Sequence, residues 1–175
     1  MQSHPDSMIS INDLVLDGCD VLSFGSVEVD PLREVDSLQE AQLLDSRVCH
    51  LTSTAALLFE MRTALQFEVG NSALFVVRGL RSFEWKLLSK QVPLAALTVV
   101  SSVPEWSNDR VGVRFEFFPG AQLGVSGDLA EFYVLDVEEI GDVPPDYSSM
   151  DLKQLQGSLP SWSSACGLLQ VSRSY

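Results

Sequence analysis

Long parts of this chain alternate apolar and polar residues, the period of a strand with one buried face. The alternation is cleanest at 111–117. There Val111, Val113, Phe115 and Phe117 share one face, and Gly112, Arg114 and Glu116 the other. Phe83, Trp85 and Leu87 likewise oppose Glu84 and Lys86, and Ala130, Phe132 and Val134 line a further strand over 130–137. Such one-sided wetting suits an antiparallel sheet. Residues 73–78 are β-branched and aromatic, and 94–103 are apolar enough for a buried strand. Pro119-Gly120 and Gly127-Asp128 read as turns, with 123–126 a short strand between them. Gly79 reads as a bulge or bend.

The stretch Ala55–Leu88 organises this pattern. A strand over 43–52 and a turn at Ser53-Thr54 lead into it. Two readings compete for 55–65. Its Ala, Leu, Met, Glu and Arg favour a helix, whereas the missing helical-period polar face and the strand pattern that follows favour a strand. Leu65, Phe67 and Val69 continue the alternation, and Gly70-Asn71-Ser72 supplies a hairpin turn. Trp85, on an alternating face, is expected in the core, and Trp106 in a loop over 104–109.

The flanks are less regular. Residues 1–12 show no periodicity and read as a flexible N-terminus; 13–175 read as a single β-rich domain. Residues 13–29 suggest short strands or an irregular arm, broken at Asp30-Pro31. Residues 36–41 form either a short helical turn with capping-box spacing to Glu40 or a loop. Pro144 and Pro145 exclude regular structure around them, 150–156 fit one or two helical turns, and 167–175 fit a last strand. The predicted fold class is mainly β, with α+β possible. It is a single antiparallel sheet-based domain, a sandwich or a partly closed barrel, with one or two short helices.

Charge changes the functional picture more than it changes the fold. The chain carries a net charge of −13 over 175 residues. Residues 1–46 hold ten acids and one base, 47–103 three acids and six bases, and 104–175 eleven acids and four bases. Acid thus flanks a weakly basic centre. The balance argues against binding a phosphate backbone, which needs Lys and Arg. It fits a basic protein partner, or a solvated acidic surface. No apolar run reaches the length of a membrane span, and the first residues lack a basic region followed by an apolar one. Cys19, Cys49 and Cys166 are widely spaced and odd in number, which points to reduced thiols and a cytoplasmic setting. Cys49, in an apolar run, is expected to be a buried small hydrophobe.

Candidate chemistry is sparse. His50 is the one histidine outside the first residues, so a zinc site is poorly supplied. Adjacent strand residues point to opposite faces, which separates its imidazole from the Cys49 thiol. No Gly-x-Ser-x-Gly elbow and no EF-hand spacing is present. A hydrolase built on His50 and acids would need a convergent pocket. No catalytic residue, metal ligand or cofactor is assigned. The acidic run Asp136, Glu138, Glu139, Asp142 and Asp146 reads as a solvated or partner-facing loop. Trp106 and Tyr147, exposed aromatics beside acid, are of the type found in binding hot spots. Glu138, Glu139, Asp142, Asp146, Tyr147 and Trp106 form the expected partner-binding set. A closed sheet around a cavity would instead bind a small apolar ligand.

One arrangement carries a family resemblance. The run Leu43-Leu-Asp-Ser-Arg-Val-Cys-His-Leu is followed by Ala73-Leu-Phe-Val-Val-Arg-Gly-Leu-Arg-Ser-Phe-Glu-Trp. Val111-Gly-Val-Arg-Phe-Glu-Phe-Phe-Pro-Gly-Ala-Gln-Leu and Ala130-Glu-Phe-Tyr-Val come next. Over roughly 38–137 this resembles small β-rich bacterial immunity proteins of polymorphic toxin systems and their uncharacterised actinobacterial relatives. Gln39-Glu40-Ala41 stands where those proteins often carry a His-Asp-Ala-like step, and Gly79-Leu80 where they carry Gly-Val. The resemblance implies a non-enzymatic inhibitor covering a toxin's working surface. The acidic charge fits a basic toxin domain independently, because opposite charge speeds association.

Overall fold

The computed structural model describes residues 8–20, 27–90 and 94–174. Among them are eight strands and two short helices: β1 (Ile9–Ser10), α1 (Ile11–Asp17), β2 (Gln42–Cys49), β3 (Thr54–Glu60), β4 (Ser72–Leu87), β5 (Leu97–Ser107), β6 (Arg110–Phe118), β7 (Ala121–Asp136), α2 (Leu152–Ser158) and β8 (Ala165–Arg173). The strands form one antiparallel sheet in the order β1-β8-β7-β4-β3-β2-β5-β6, and β6 also pairs with β7. That last pairing closes the sheet into a barrel. β7 keeps β4 along one edge; its other edge pairs with β6 through Ala121–Gly127 and with β8 through Glu131–Asp136. Closure is thinnest between β2 and β5, which pair only at Gln42–Thr98 and Leu43–Leu97. The mainly-β expectation holds, in its partly closed barrel form. No helix among the described residues is long and apolar enough to cross a membrane.

β3 explains why its own sequence reads ambiguously. Every residue from Thr54 to Glu60 is buried, because the strand faces two cores. Ala55, Leu57 and Phe59 point into the barrel with Phe75, Phe115 and Phe132. Ala56 and Leu58 point outward, under a cover that includes Ile11, Leu14, Trp162 and Val171. A strand buried on both faces loses the alternation that would identify it. The barrel interior is occupied by rings: Phe115 lies 5.7 Å from Phe59 and 6.1 Å from Phe75, and Phe75 lies 6.4 Å from Phe132. Side chains fill it, as in other small barrels.

Several local expectations are corrected. The strand reading of 55–65 is right as far as Glu60, but residues 61–71 form an irregular connection, so Leu65, Phe67 and Val69 do not continue a strand. β7 runs unbroken through Gly127-Asp128. Glycine is needed there because a Cβ on Gly127 would stand 2.6 Å from Val77 Cγ1 and 2.9 Å from the Arg78 and Gly79 carbonyl oxygens. The residue marks a close approach of β4 to β7, which sequence alone cannot tell from a turn. Trp106 belongs to β5, not to a loop. Trp85 is 43% exposed and Cys49 is exposed rather than buried, since β2 and the far half of β4 border the thin side of the barrel. Over 13–29, where short strands or an irregular arm were expected, the chain up to Asp17 belongs to a helix started by a capping box between Ser10 and Asp13, and 21–26 lie outside the described residues. Of the N-terminus expected to be flexible over 1–12, residues 1–7 lie outside the described residues. Residues 9–12 are built into the fold: Ile9 and Ser10 pair with β8 and Ile11 is buried.

Candidate acidic binding face

The chain leaves β7 at Asp136 and enters the acidic segment. Its departure is fixed by Asn71. The Asn71 side-chain amide donates to the Val137 carbonyl at 2.9 Å, and its Oδ1 accepts from the Val137 N–H at 2.9 Å. Both groups are buried, so this reciprocal pair replaces a ladder step where the strand ends. A 3-10 turn follows over Glu138–Ile140, and Gly141 (φ 70°) turns the chain again.

Arg62 then holds the segment in place. Its guanidinium grips Glu60 through Nε (2.8 Å) and Nη2 (2.5 Å). Nη1 donates to the carbonyls of Ile140 (2.9 Å) and Val143 (2.8 Å), and Nη2 donates to that of Ser158 (2.7 Å). All five guanidinium N–H donors therefore meet an acceptor. One side chain ties the end of β3, the acidic segment and the last carbonyl of α2 together. Neither partner of the ion pair is solvated: Arg62 is 3% exposed and Glu60 0%. Such a pair is tolerated only when its remaining hydrogen-bonding groups are satisfied, as they are here.

The acids on this segment differ in their freedom. Glu138, Glu139 and Asp142 are exposed and make no hydrogen bond or ion pair among the described residues. Asp142 and Asp136 border a polar depression of about 280 Å³ with Arg62, Glu68 and Asn71. Asp146 is exposed but internally engaged. Its Oδ1 accepts from the Ser148 hydroxyl (2.6 Å) and N–H (3.0 Å), and its Oδ2 from the Ser149 hydroxyl (2.9 Å). Those donors hold its carboxyl below the usual carboxylate range. Tyr147 is half-buried, and its hydroxyl donates to Gln42 Oε1 at 2.9 Å. Burial first, then the nearby Glu60 charge, pushes its phenol up to about 12.

Trp106 does not share this face. Its Nε1 donates to the Leu32 carbonyl at 2.7 Å and its ring lies 5.7 Å from the Arg33 guanidinium. Through Val111 it stands level with Gly127 of β7, nine residues before Asp136. At the strand rise that is about 30 Å of β7. Trp106 pins the 30–41 segment to the barrel.

A second buried polar cluster lies on β7 five residues before Asp136. Glu131 on β7 is buried and accepts hydrogen bonds from Arg78 and Tyr133, with Arg173 Nη2 at 3.4 Å. Arg78 also donates to the Leu14 and Val15 carbonyls at the end of α1. Burial, then the hydrogen bond to Glu131, drives the Tyr133 phenol far above its ordinary value. Arg78 joins β4 to β7 and to α1, and Arg173 joins β8 to β7, so the cluster reads as a tie for α1. His50 is exposed in the connection between β2 and β3 and makes no hydrogen bond among the described residues. No group of three or more His, Cys, Asp or Glu side chains among the described residues could hold a metal.

Sequence reasoning missed one feature. A groove of about 510 Å³ lies outside the barrel, where β2 and β5 barely meet. Leu43, Leu44 and Asp45 form one wall, Leu94–Ala96 another, and Tyr147, Leu152, Leu155 and Trp162 close it. Its residues come from four separated stretches, and no local pattern unites them.

No protein-family model matches the chain, and no curated protein does. A solved structure of an uncharacterized protein from Neisseria gonorrhoeae is similar at TM-score 0.40 and 13% identity, over 54% of this chain and 90% of that one. At that level of likeness it carries no argument about fold or function.

Proposed function

We propose that this chain is an acidic binding protein that engages a basic protein partner through the segment Glu138–Tyr147, and that the partner is a toxin domain which it neutralises. One observation carries the proposal: three exposed, unpaired acids, Glu138, Glu139 and Asp142, sit on a segment immobilised by the buried Arg62–Glu60 pair. A mobile acidic tail would lose conformational entropy on binding; a fixed one does not. The net charge of −13 supports the same reading, since long-range attraction raises the rate of encounter with a basic surface. The family resemblance over roughly 38–137 supports the toxin-neutralising form of it. In this reading the chain acts by occupying its partner's surface and performs no chemistry.

Co-purification from the native host tests the proposal. A basic protein that stays bound at low salt and is released as salt rises supports it. Absence of any salt-sensitive basic partner counts against it.

A further inference from the structure

Resting on that reading, we infer that the groove beside the acidic segment receives the apolar face of a basic amphipathic helix of the partner. Three observations place an apolar contact and a charged contact side by side. The groove, at about 510 Å³, has the size of a binding cleft and is walled mainly by leucines and Trp162. Two of those leucines are free to be covered, Leu94 at 42% and Leu152 at 56% exposed. Acid outnumbers base beside it: Asp45 lines one wall, Asp146 directly precedes the lining Tyr147 and Asp151 the lining Leu152, against the cation Arg47 stacked on Trp162. Tyr147 belongs to both features, lining the groove at the end of the acidic segment.

That charge makes the choice of occupant. An uncharged apolar ligand would gain nothing from the carboxylates, and a second copy of this chain would bring another −13 against them. A segment with leucine-like residues on one side and Lys or Arg on the other satisfies both surfaces at once. Trp162 is held for that contact. Its Nε1 donates to Asp45 Oδ2 at 2.7 Å, and the Arg47 guanidinium stacks 4.5 Å from its ring.

Two synthetic peptides of identical Leu and Lys composition test the inference by calorimetric titration. One spaces its leucines on a single helical face, and the other scrambles them. The amphipathic isomer is expected to bind the folded chain about tenfold or more tighter than its scramble. Leu152→Asp is expected to abolish that advantage. The substitution sits at the first position of α2, where an acid suits the helix, and an unchanged melting temperature confirms the fold. It also adds negative charge, which alone would strengthen binding of a basic peptide, so weakening reports the lost apolar contact. Equal binding of both isomers, unaffected by Leu152→Asp, would overturn the groove and leave the acidic face standing. Equally tight binding of a neutral Leu/Ser isomer, or dimerisation in sedimentation that Leu152→Asp reverses, would overturn the choice of occupant. Failure of both Lys peptides to bind at low salt would overturn the groove and the acidic face together.

Discussion

Arg62 and Glu60 form a buried ion pair two residues apart, with Nε–Oε1 at 2.8 Å and Nη2–Oε2 at 2.5 Å. Neighbouring charges this close along a strand end usually stay in water. Here the pair is buried because it carries three backbone carbonyls with it, those of Ile140, Val143 and Ser158. The acidic segment owes its fixed position to this contact.

Arg62→Met should therefore destabilise the chain by about 3–5 kcal/mol, because it leaves the Glu60 carboxylate buried without a partner. Urea denaturation measures this. The double variant Glu60→Gln/Arg62→Met should recover part of the loss. Hydrogen exchange should show faster opening at 140–143 in both variants, since the carbonyl contacts are gone in each.

Tyr147 predicts a pH dependence at the alkaline end. Its phenol is raised from 10 to about 12 in the folded chain. Between those values the unfolded tyrosine has lost its proton and the folded one retains it, so unfolding releases a proton and rising pH favours it. The stabilising contribution is complete below pH 10 and lost as pH rises through about 12. Tyrosinate absorbance should show a late-titrating group that Tyr147→Phe removes, and the variant's stability should fall less steeply over that window.

Cys49 should be the first thiol to react. It is exposed, and hydrogen bonds from the Thr52 side chain and backbone hold its pKa below the ordinary thiol value. Cys166 is buried and raised to about 11, and Cys19 is also raised by burial. More thiolate and open access together favour alkylation. Mass spectrometry after brief treatment with iodoacetamide at neutral pH should find Cys49 modified first, and Thr52→Val should slow it.

Gly127→Ala should strain the barrel. The added methyl would stand 2.6 Å from Val77 Cγ1 and 2.9 Å from two backbone oxygens of β4. Overpacking of this kind costs about 1–3 kcal/mol. A lowered melting temperature would check it; an unchanged one would mean that β4 and β7 are less closely apposed than described.

Strand 111–117 was legible because one of its faces is dry and the other wet, so the period of two survives in the text of the sequence. β3 was half-legible, because burial on both faces erases that period. Gly127 and Trp106 misled for a shared reason: a glycine at a close approach and a tryptophan bonded to a distant carbonyl look locally like turn and loop residues. The acidic face could be read as a run because it is contiguous, whereas its anchors, Asn71 and Arg62, lie far from it in sequence. The groove was invisible, since only the fold gathers β2, residues 94–96 and α2 around one space.

Affinity capture from the native host with the wild-type chain and with Glu138→Gln/Glu139→Gln/Asp142→Asn tests the central claim most directly. These three side chains bond to nothing among the described residues, so the triple variant should keep the wild-type melting temperature. The account predicts a basic protein retained by the wild type at low salt, released as salt rises, and retained poorly or not at all by the variant. A partner held equally by both chains, or held without regard to salt, would contradict it.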